Sequence, residues 1–302
     1  MKKLVSVIIS TYNRAELLPR AIESVLRQTY STFELIIVDD GSTDHTRQVV
    51  AEFVSRDDRI RYFYIDHKGS ARAKNYAIGK ASGVYVGMLD SDDEWFDMKL
   101  ETQLNIFEGS NNPKLGCVGC GSQVVDLING RTYNQGIILR ENVLKQILSK
   151  DCMGSGSNML YKADILKKIG LFDEHLTSGS DWELRIRLAQ AADFIFSEKI
   201  LLVYYIHRQN LTNSISLVNK KLDYNYIYTK WQSLYIAHKE ASSNMEVRLG
   251  VINVRLKKWE EAFGNFIKAI KKNPINGKCY VYLVIIAFYI SKNAVADIVK
   301  MR

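Results

Sequence analysis

The chain has 302 residues, 47% hydrophobic and 25% charged, enough apolar material for a full core, which excludes a disordered or low-complexity polymer. Four cysteines at this length exclude a disulfide framework and fit a reducing compartment. The net charge of +8 is uneven: residues 220–302 hold 15 Lys and Arg against 6 Asp and Glu, but no zinc-finger, helix-turn-helix or RNA-binding signature goes with them, so nucleic acid is set aside as a partner.

Met1-Lys2-Lys3-Leu4 imitates the start of a signal peptide. The apolar stretch after it is broken by Ser6 and ends at Ser10-Thr11-Tyr12-Asn13-Arg14 without a small-residue cleavage site, so it reads as a first strand. Further short runs rich in Val, Ile and aromatics predict strands over 33–39, 60–66 and 84–89. Helices are expected between them. Leu18, Ile22, Val25 and Leu26 share one face, with Pro19 tolerable in the first turn. Ser42-Thr43-Asp44 offers N-cap chemistry for a helix through Val49, Val50 and Phe53, and Gly69-Ser70 opens another over 71–81.

Strands alternating with helices mean right-handed crossovers and a mainly parallel sheet covered on both faces. The carboxyl ends of the strands then share one edge. Thr11 to Arg14, Asp39-Asp40 and Asp90-Ser91-Asp92-Asp93 each follow a strand directly, so they should meet at the crevice where open α/β sheets bind ligands.

After Pro113 the pattern loosens, with strands expected over 115–118 and 123–127. A Gly/Ser-rich loop, Gly154-Ser155-Gly156-Ser157, precedes a short helix over 163–169, and Leu184, Leu188 and Ala191 have helical spacing. Cys117-Val118-Gly119-Cys120 has metal-ligand spacing but no second pair, so it reads as two packed thiols. The last eighty residues read as a helical appendage with a stripe at Tyr224, Tyr228, Trp231 and Tyr235. The apolar run 279–290 is shorter than the roughly 20 residues of a spanning helix and reads as buried or interfacial.

Paired carboxylates repel each other and resist desolvation, and a hard divalent cation resolves that conflict while leaving positions open for phosphate oxygens. Lys68, Arg72 and Lys74 supply cations at the start of a helix, whose N-terminal amides also favour anions. No Gly-x-x-x-x-Gly-Lys-Ser/Thr loop is present, and no Gly-x-Gly-x-x-Gly follows the first strand, so the site does not use the usual ATP or NAD cradle.

Three ordered motifs carry a resemblance: the stretch from Val5 to Arg14, the stretch from Ile36 to Asp44, and Met88-Leu89-Asp90-Ser91-Asp92-Asp93. Together they resemble the family 2 glycosyltransferases of GT-A fold over residues 4 to 215. The resemblance implies an α/β fold with a Rossmann-like, mainly parallel sheet and helices on both faces, residues 1–215 as catalytic domain and 216–302 as basic helical extension. It implies inverting transfer of a sugar from a nucleotide-diphosphate donor, UDP-linked, to a saccharide or lipid-linked acceptor in surface polysaccharide assembly. Thr11, Tyr12, Arg14 and Asp39 would form the pocket for base and ribose. Arg72 would face the diphosphate, Asp90 the ribose and metal, and Asp92 would ligate Mn²⁺ or Mg²⁺, with His207 completing the shell or touching phosphate. Asp181 would be the general base, in Ser180-Asp181-Trp182 where the family usually shows Glu-Asp and an aromatic, and Trp182 would either stack on the acceptor or belong to the core. A cytoplasmic location is implied, with peripheral membrane contact through the extension. The alternatives are a sugar nucleotidyltransferase, a receiver-type domain and a catalytically silent nucleotide-sugar-binding module.

Overall fold

The computed structural model describes residues 2–137, 142–150, 152–210 and 215–300. They fall into two compact units, residues 1–143 with 152–214, and residues 144–151 with 215–302.

The first unit is built on a nine-stranded mixed sheet. Its parallel half is β1 (Val5–Thr11), β2 (Phe33–Asp39), β3 (Ile60–Tyr64) and β4 (Tyr85–Asp90), ordered β3-β2-β1-β4. Successive strand side chains point to opposite faces. Because Val5, Ser6, Val7, Ile8 and Ile9 are all at most 1% exposed, both faces are covered, as a sheet with helical crossovers requires. Each fully buried Val, Ile or Leu contributes roughly 1.5–3 kcal/mol. The connecting helices are α1 (Leu18–Leu26), with Pro19 in its first turn, α2 (Thr46–Val54) and α3 (Ser70–Lys80).

The other half departs from expectation. After β5 (Glu94–Trp95) and α4 (Lys99–Gly109), the strands expected over 115–118 and 123–127 are one continuous strand, β6 (Leu115–Asp126), with β7 (Arg131–Gln135) returning beside it. No turn residue with a reversed backbone interrupts 119–121; the register with β9 (Asp193–Ile206) shifts there instead. The glycines serve close approach: a Cβ on Gly119 would fall 2.2 Å from the Phe196 ring, and one on Gly121 2.6 Å from Ile200. β8 (Leu160–Lys162) slots antiparallel between β4 and β6, and β5 pairs antiparallel with the end of β9. The sheet thus runs β3-β2-β1-β4-β8-β6-β9-β5, with β7 on β6. A 3₁₀ turn (Gly156–Asn158), α6 (Ala163–Ile169) and α7 (Ser180–Ala191) complete the unit.

The second unit is helical: α5 (Val143–Ser149), α8 (Leu217–Lys230), α9 (Gln232–Ala237), α10 (Lys239–Arg255), α11 (Trp259–Lys272) and α12 (Gly277–Lys300). The expected aromatic stripe is split between α8 and α9 by a break at Trp231, and Tyr235 is buried. Val247, Ala262, Phe266, Ala269, Cys279 and Ile286 form its core, with the Phe266 ring against Gly250. The run 279–290 lies in α12, where Val281, Val284 and Ile285 are exposed beside buried Cys279 and Ile286. No described helix is long and apolar enough to cross a membrane.

Candidate active site

Strand register alone brings the first residues together. Thr11 at the end of β1 is the partner of Asp39 on β2, and Ser10 is the partner of Asp90 on β4. The three strands stop in line, and their carboxyl ends form one rim.

On one side of the rim, the loop after β1 and the turn after β2 lock into each other. Asn13 takes a left-handed backbone (φ 50), which Asn tolerates better than most residues. Its side-chain oxygen accepts from the amides of Thr43 (2.8 Å) and Asp44 (3.3 Å), and its own amide donates to Ser42 Oγ (2.8 Å). Asp39 is fully buried, accepting from Ser42 N and from Tyr62 Oη, each at 2.8 Å. Burial, then the bond to Asp39, pushes the Tyr62 hydroxyl well up, so it stays a donor. Tyr12 is half-exposed and stacks on His67 with ring centroids 4.0 Å apart. Asp40 was expected to add to a charge cluster, but its carboxylate accepts from the amides of Lys68 and Gly69, each at 2.9 Å, and ties the start of α3 to the sheet.

The acidic run after β4 divides its work. Asp92 Oδ2 lies 3.0 Å from His207 Nε2, 3.4 Å from Asn210 Nδ2 and 3.8 Å from the Arg14 guanidinium, which also donates to the Gln209 carbonyl at 2.6 Å. The loop after β9 and the loop after β1 therefore meet at Asp92. Asp93 is fully buried and accepts from Ser157 Oγ (2.5 Å) and Ser155 Oγ (3.1 Å). Burial, then the charges of Asp90 and Asp92, pushes its pKa well above the carboxylate range, so the neutral form is favoured and the run sheds part of its repulsion.

Asp90 opens to the site with its side chain 34% exposed, and it meets a cation that the sequence placed at the start of the helix without a role at the carboxylates. Lys74 on α3, 6% exposed, places Nζ 3.4 Å from Asp90 Oδ1 and 3.5 Å from Asp181 Oδ1. Asp181 stands in the first turn of α7, entered through Gly179 (φ 77). Two clamps hold that helix near α3. Asn75 donates to the Phe172 carbonyl (2.9 Å) and accepts from the Phe172 amide (2.8 Å), while Arg187 pairs with buried Glu183 and donates to the carbonyls of Ile169 and Leu171. Burial alone would discharge Lys74, but Asp181 and then Asp90 outweigh it and push its pKa up. Burial would likewise raise Asp181, but Lys74 and then Arg185 hold its carboxyl below the usual range, so it is ionised at neutral pH.

Thr11, Tyr12, Arg14, Asp39, Asp90, Asp92, Asp181 and His207 are thus placed at or just behind the rim. Arg72 is not brought to the carboxylates: it is exposed and forms no ion pair among the described residues, and the cation that meets them is Lys74, two residues on. The signal for Lys74 was present, since it shares a helical face with Ala71, Ala77 and Ile78. Trp182 is corrected as an acceptor platform, because at 3% exposed it presents no open ring face. Cys117 and Cys120 are buried thiols, contacting Met159 Sδ and the Asn158 carbonyl; burial pushes Cys120 up to about 11, which suits neither zinc nor redox chemistry.

No three His, Cys, Asp or Glu among the described residues are grouped to hold a metal by themselves. Asp92 Oδ2 and His207 Nε2, 3.0 Å apart, are hydrogen-bonded to each other, and a carboxylate oxygen with an imidazole nitrogen is a donor set that would hold a divalent ion. Two protein ligands leave the remaining positions for water and phosphate oxygens.

A sequence model described as Glycosyl transferase family 2 matches residues 6–170. An uncharacterised glycosyltransferase of Rickettsia typhi is 33% identical over 215 residues, 70% of this chain and 66% of that protein. The putative teichuronic acid biosynthesis glycosyltransferase TuaG of Bacillus subtilis is 45% identical over 104 residues, 34% of this chain and 41% of that one. The chain thus spans less than two thirds of the length of the relatives it matches. Among solved structures, S. aureus TarS 1–349 in complex with UDP-GlcNAc superposes with a TM-score of 0.67 at 18% identity, covering 89% of this chain and 81% of that one. The mannosyltransferase PcManGT of Pyrobaculum calidifontis, in complex with GDP-Man and Mn²⁺, gives 0.62 at 17%, covering 96% and 81%. At such identities the likeness is one of fold.

Proposed function

Because the chain belongs to glycosyl transferase family 2, we propose that it is an inverting hexosyltransferase that moves a sugar from a UDP-sugar to a hydroxyl of a saccharide acceptor, with residues 1–215 as catalytic domain and 216–302 as extension. The observation that carries this reading is the arrangement at the rim, where Asp181 and Asp90 share the Lys74 ammonium beside the Asp92–His207 pair.

Each residue has work that follows from its surroundings. The half-exposed Tyr12 ring is available to a base face, and Thr11 and Asp39 close the floor below it. Asp39 would accept the imide proton of uracil, turning one oxygen from its present partners to the ligand. Arg14, whose guanidinium lies 3.8 Å from Asp92, would complete the pocket for base and ribose. Asp92 and His207 would hold Mn²⁺ or Mg²⁺, which when bound supplies positive charge to a departing diphosphate.

The acceptor hydroxyl has a pKa far above 7 and needs a base as it attacks. Asp181 is ionised and a third exposed, and Gly156 packs close against it, since a Cβ there would come within 3.3 Å of its carboxylate. It would take the acceptor proton as the new bond forms on the face opposite the leaving group, a contribution of roughly 10² to 10⁴-fold. Lys74 keeps the base ionised and fixes its distance from Asp90. A sugar nucleotidyltransferase would instead need a glycine-rich phosphate loop after β1, and 10–14 is held by Asn13.

The name of TuaG supports surface polysaccharide assembly, and the Mn²⁺ complex of PcManGT supports metal use. A lipid-linked acceptor and a peripheral position on the cytoplasmic membrane face belong to the same reading, with exposed Val281, Val284 and Ile285 on α12 as the contact. Incubation with UDP-hexoses, Mn²⁺ and saccharide acceptors tests it, with the anomeric configuration of the product read by NMR. Retention of configuration, or no transfer and no donor hydrolysis across the panel, overturns it.

A further inference from the structure

The helical unit holds a cleft of about 620 Å³ that the glycosyl-transfer chemistry does not use, a volume typical of small-molecule sites. It lies among α8, α9, α10 and α11, and lysines from two of these helices reach it: Lys239 at the start of α10, and Lys268, Lys271 and Lys272 near the end of α11. Lys239, Lys268 and Lys271 are exposed and form no ion pair among the described residues. Like charges brought together without a counter-charge repel, so this arrangement favours an anion.

The floor is built rather than incidental. Glu246, 4% exposed, accepts from Lys272 Nζ at 2.7 Å, from Tyr228 Oη at 3.2 Å and, through its other oxygen, from Asn265 Nδ2 at 2.8 Å. Ser242, also 4% exposed, shares a 2.8 Å hydrogen bond with Tyr228 Oη. The one carboxylate lining the cleft is therefore neutralised from within by Lys272, and the other three ammonium groups are left to a ligand. Half-buried Tyr228 and Ile236, 69% exposed, give the cleft an apolar side, with Tyr235 buried behind and meeting the Tyr228 ring edge to face at 4.8 Å between centroids.

We propose that this cleft is a second binding site, specific for a phosphorylated saccharide. A phosphate group brings the compact double charge that three ammonium groups match as point charges, and a sugar ring brings an apolar C–H face for the aromatic side and hydroxyls for Ser242 and Gln232. A chloride-sized ion would leave the aromatic side unused, and a flat anionic surface would not reach the buried floor.

Titration calorimetry on the full chain at low salt tests this with three probes: glucose 1-phosphate, glucose, and vesicles of phosphatidylglycerol in phosphatidylcholine. Glucose 1-phosphate is expected to bind, glucose not, and binding should weaken as salt rises. The Lys268→Gln/Lys271→Gln double variant should lose roughly ten-fold or more in affinity, as expected when charge-assisted phosphate contacts go. The Lys268→Arg/Lys271→Arg variant should keep it, which separates charge from folding. Equal affinity in wild type and the Gln variant overturns the proposal, and so does binding to the vesicles alone. UDP added to saturation should leave the titration unchanged; its loss under UDP would place the sugar phosphate in the donor pocket and overturn the second site while leaving glycosyl transfer intact.

Discussion

Lys74 Nζ lies 3.5 Å from Asp181 Oδ1, joining a helix of the N-terminal half of the sheet to the helix that carries the proposed base. Both groups are charged because of each other: the carboxylate keeps the buried ammonium protonated, and the ammonium keeps the carboxylate ionised.

Removing the cation while keeping its bulk, Lys74→Met, should raise the Asp181 pKa. As the proposed base, Asp181 would have to be ionised for turnover, so the acidic limb of the kcat profile should move to higher pH, and Lys74→Arg should largely restore it. Stability should fall by about 1–3 kcal/mol, less than the 3–5 of a fully buried pair, because both carboxylates are a third exposed. An unmoved acidic limb would detach Lys74 from the base.

Asp181→Asn keeps the shape and removes the proposed proton acceptor. Donor affinity should hold while kcat drops roughly 10² to 10⁴-fold. Normal turnover in single-turnover assays would show that another group takes the proton.

Thermal shift tests the proposed metal site without catalysis. A UDP-sugar at 100 times its Kd should stabilise the wild type by about 2.7 kcal/mol, and only when Mn²⁺ or Mg²⁺ is present. Asp92→Ala should abolish the metal-dependent part, and His207→Ala should weaken it. A full shift for Asp92→Ala would move the ion elsewhere.

Asp93 tests the charge bookkeeping of the acidic run. Its folded pKa is raised, so the native state holds a proton that the unfolded chain releases just above the ordinary carboxylate range. Stability from this group is complete below the unfolded pKa and is lost as pH rises through the folded one. Asp93→Asn cannot ionise, so its urea midpoint relative to wild type should improve from pH 4 to pH 8. A constant difference between the two proteins would show that Asp93 does not titrate in this window.

Period and punctuation made the first ninety residues legible. Val5 to Ser10 and Phe33 to Asp39 are strands because both faces are apolar, and paired carboxylates directly after strands located the rim before any coordinates. What failed to show were features set by distant partners. β9 runs 14 residues with mixed exposure and acquires its strand character from β6, and the close approaches at Gly119 and Gly121 that let β6 run on unbroken depend on Phe196 and Ile200 far along the chain. Arg72 and Lys74 share one helical stretch and one chemistry; only burial separates them, and it places the second between Asp90 and Asp181. Trp182 could not be assigned to core or surface by type, since an aromatic ring serves either place.

The pairing of Glu94 with Val203 and of Trp95 with Leu202 has an implication for biosynthesis. Asp92 leaves the ribosome more than a hundred residues ahead of the His207 and Asn210 that flank it, so a nascent chain halted near residue 200 displays its acidic turn without its escort. Assembly of the rim around Asp92 is therefore among the last events of this unit's maturation, whatever the speed at which β1, β2 and β3 come together.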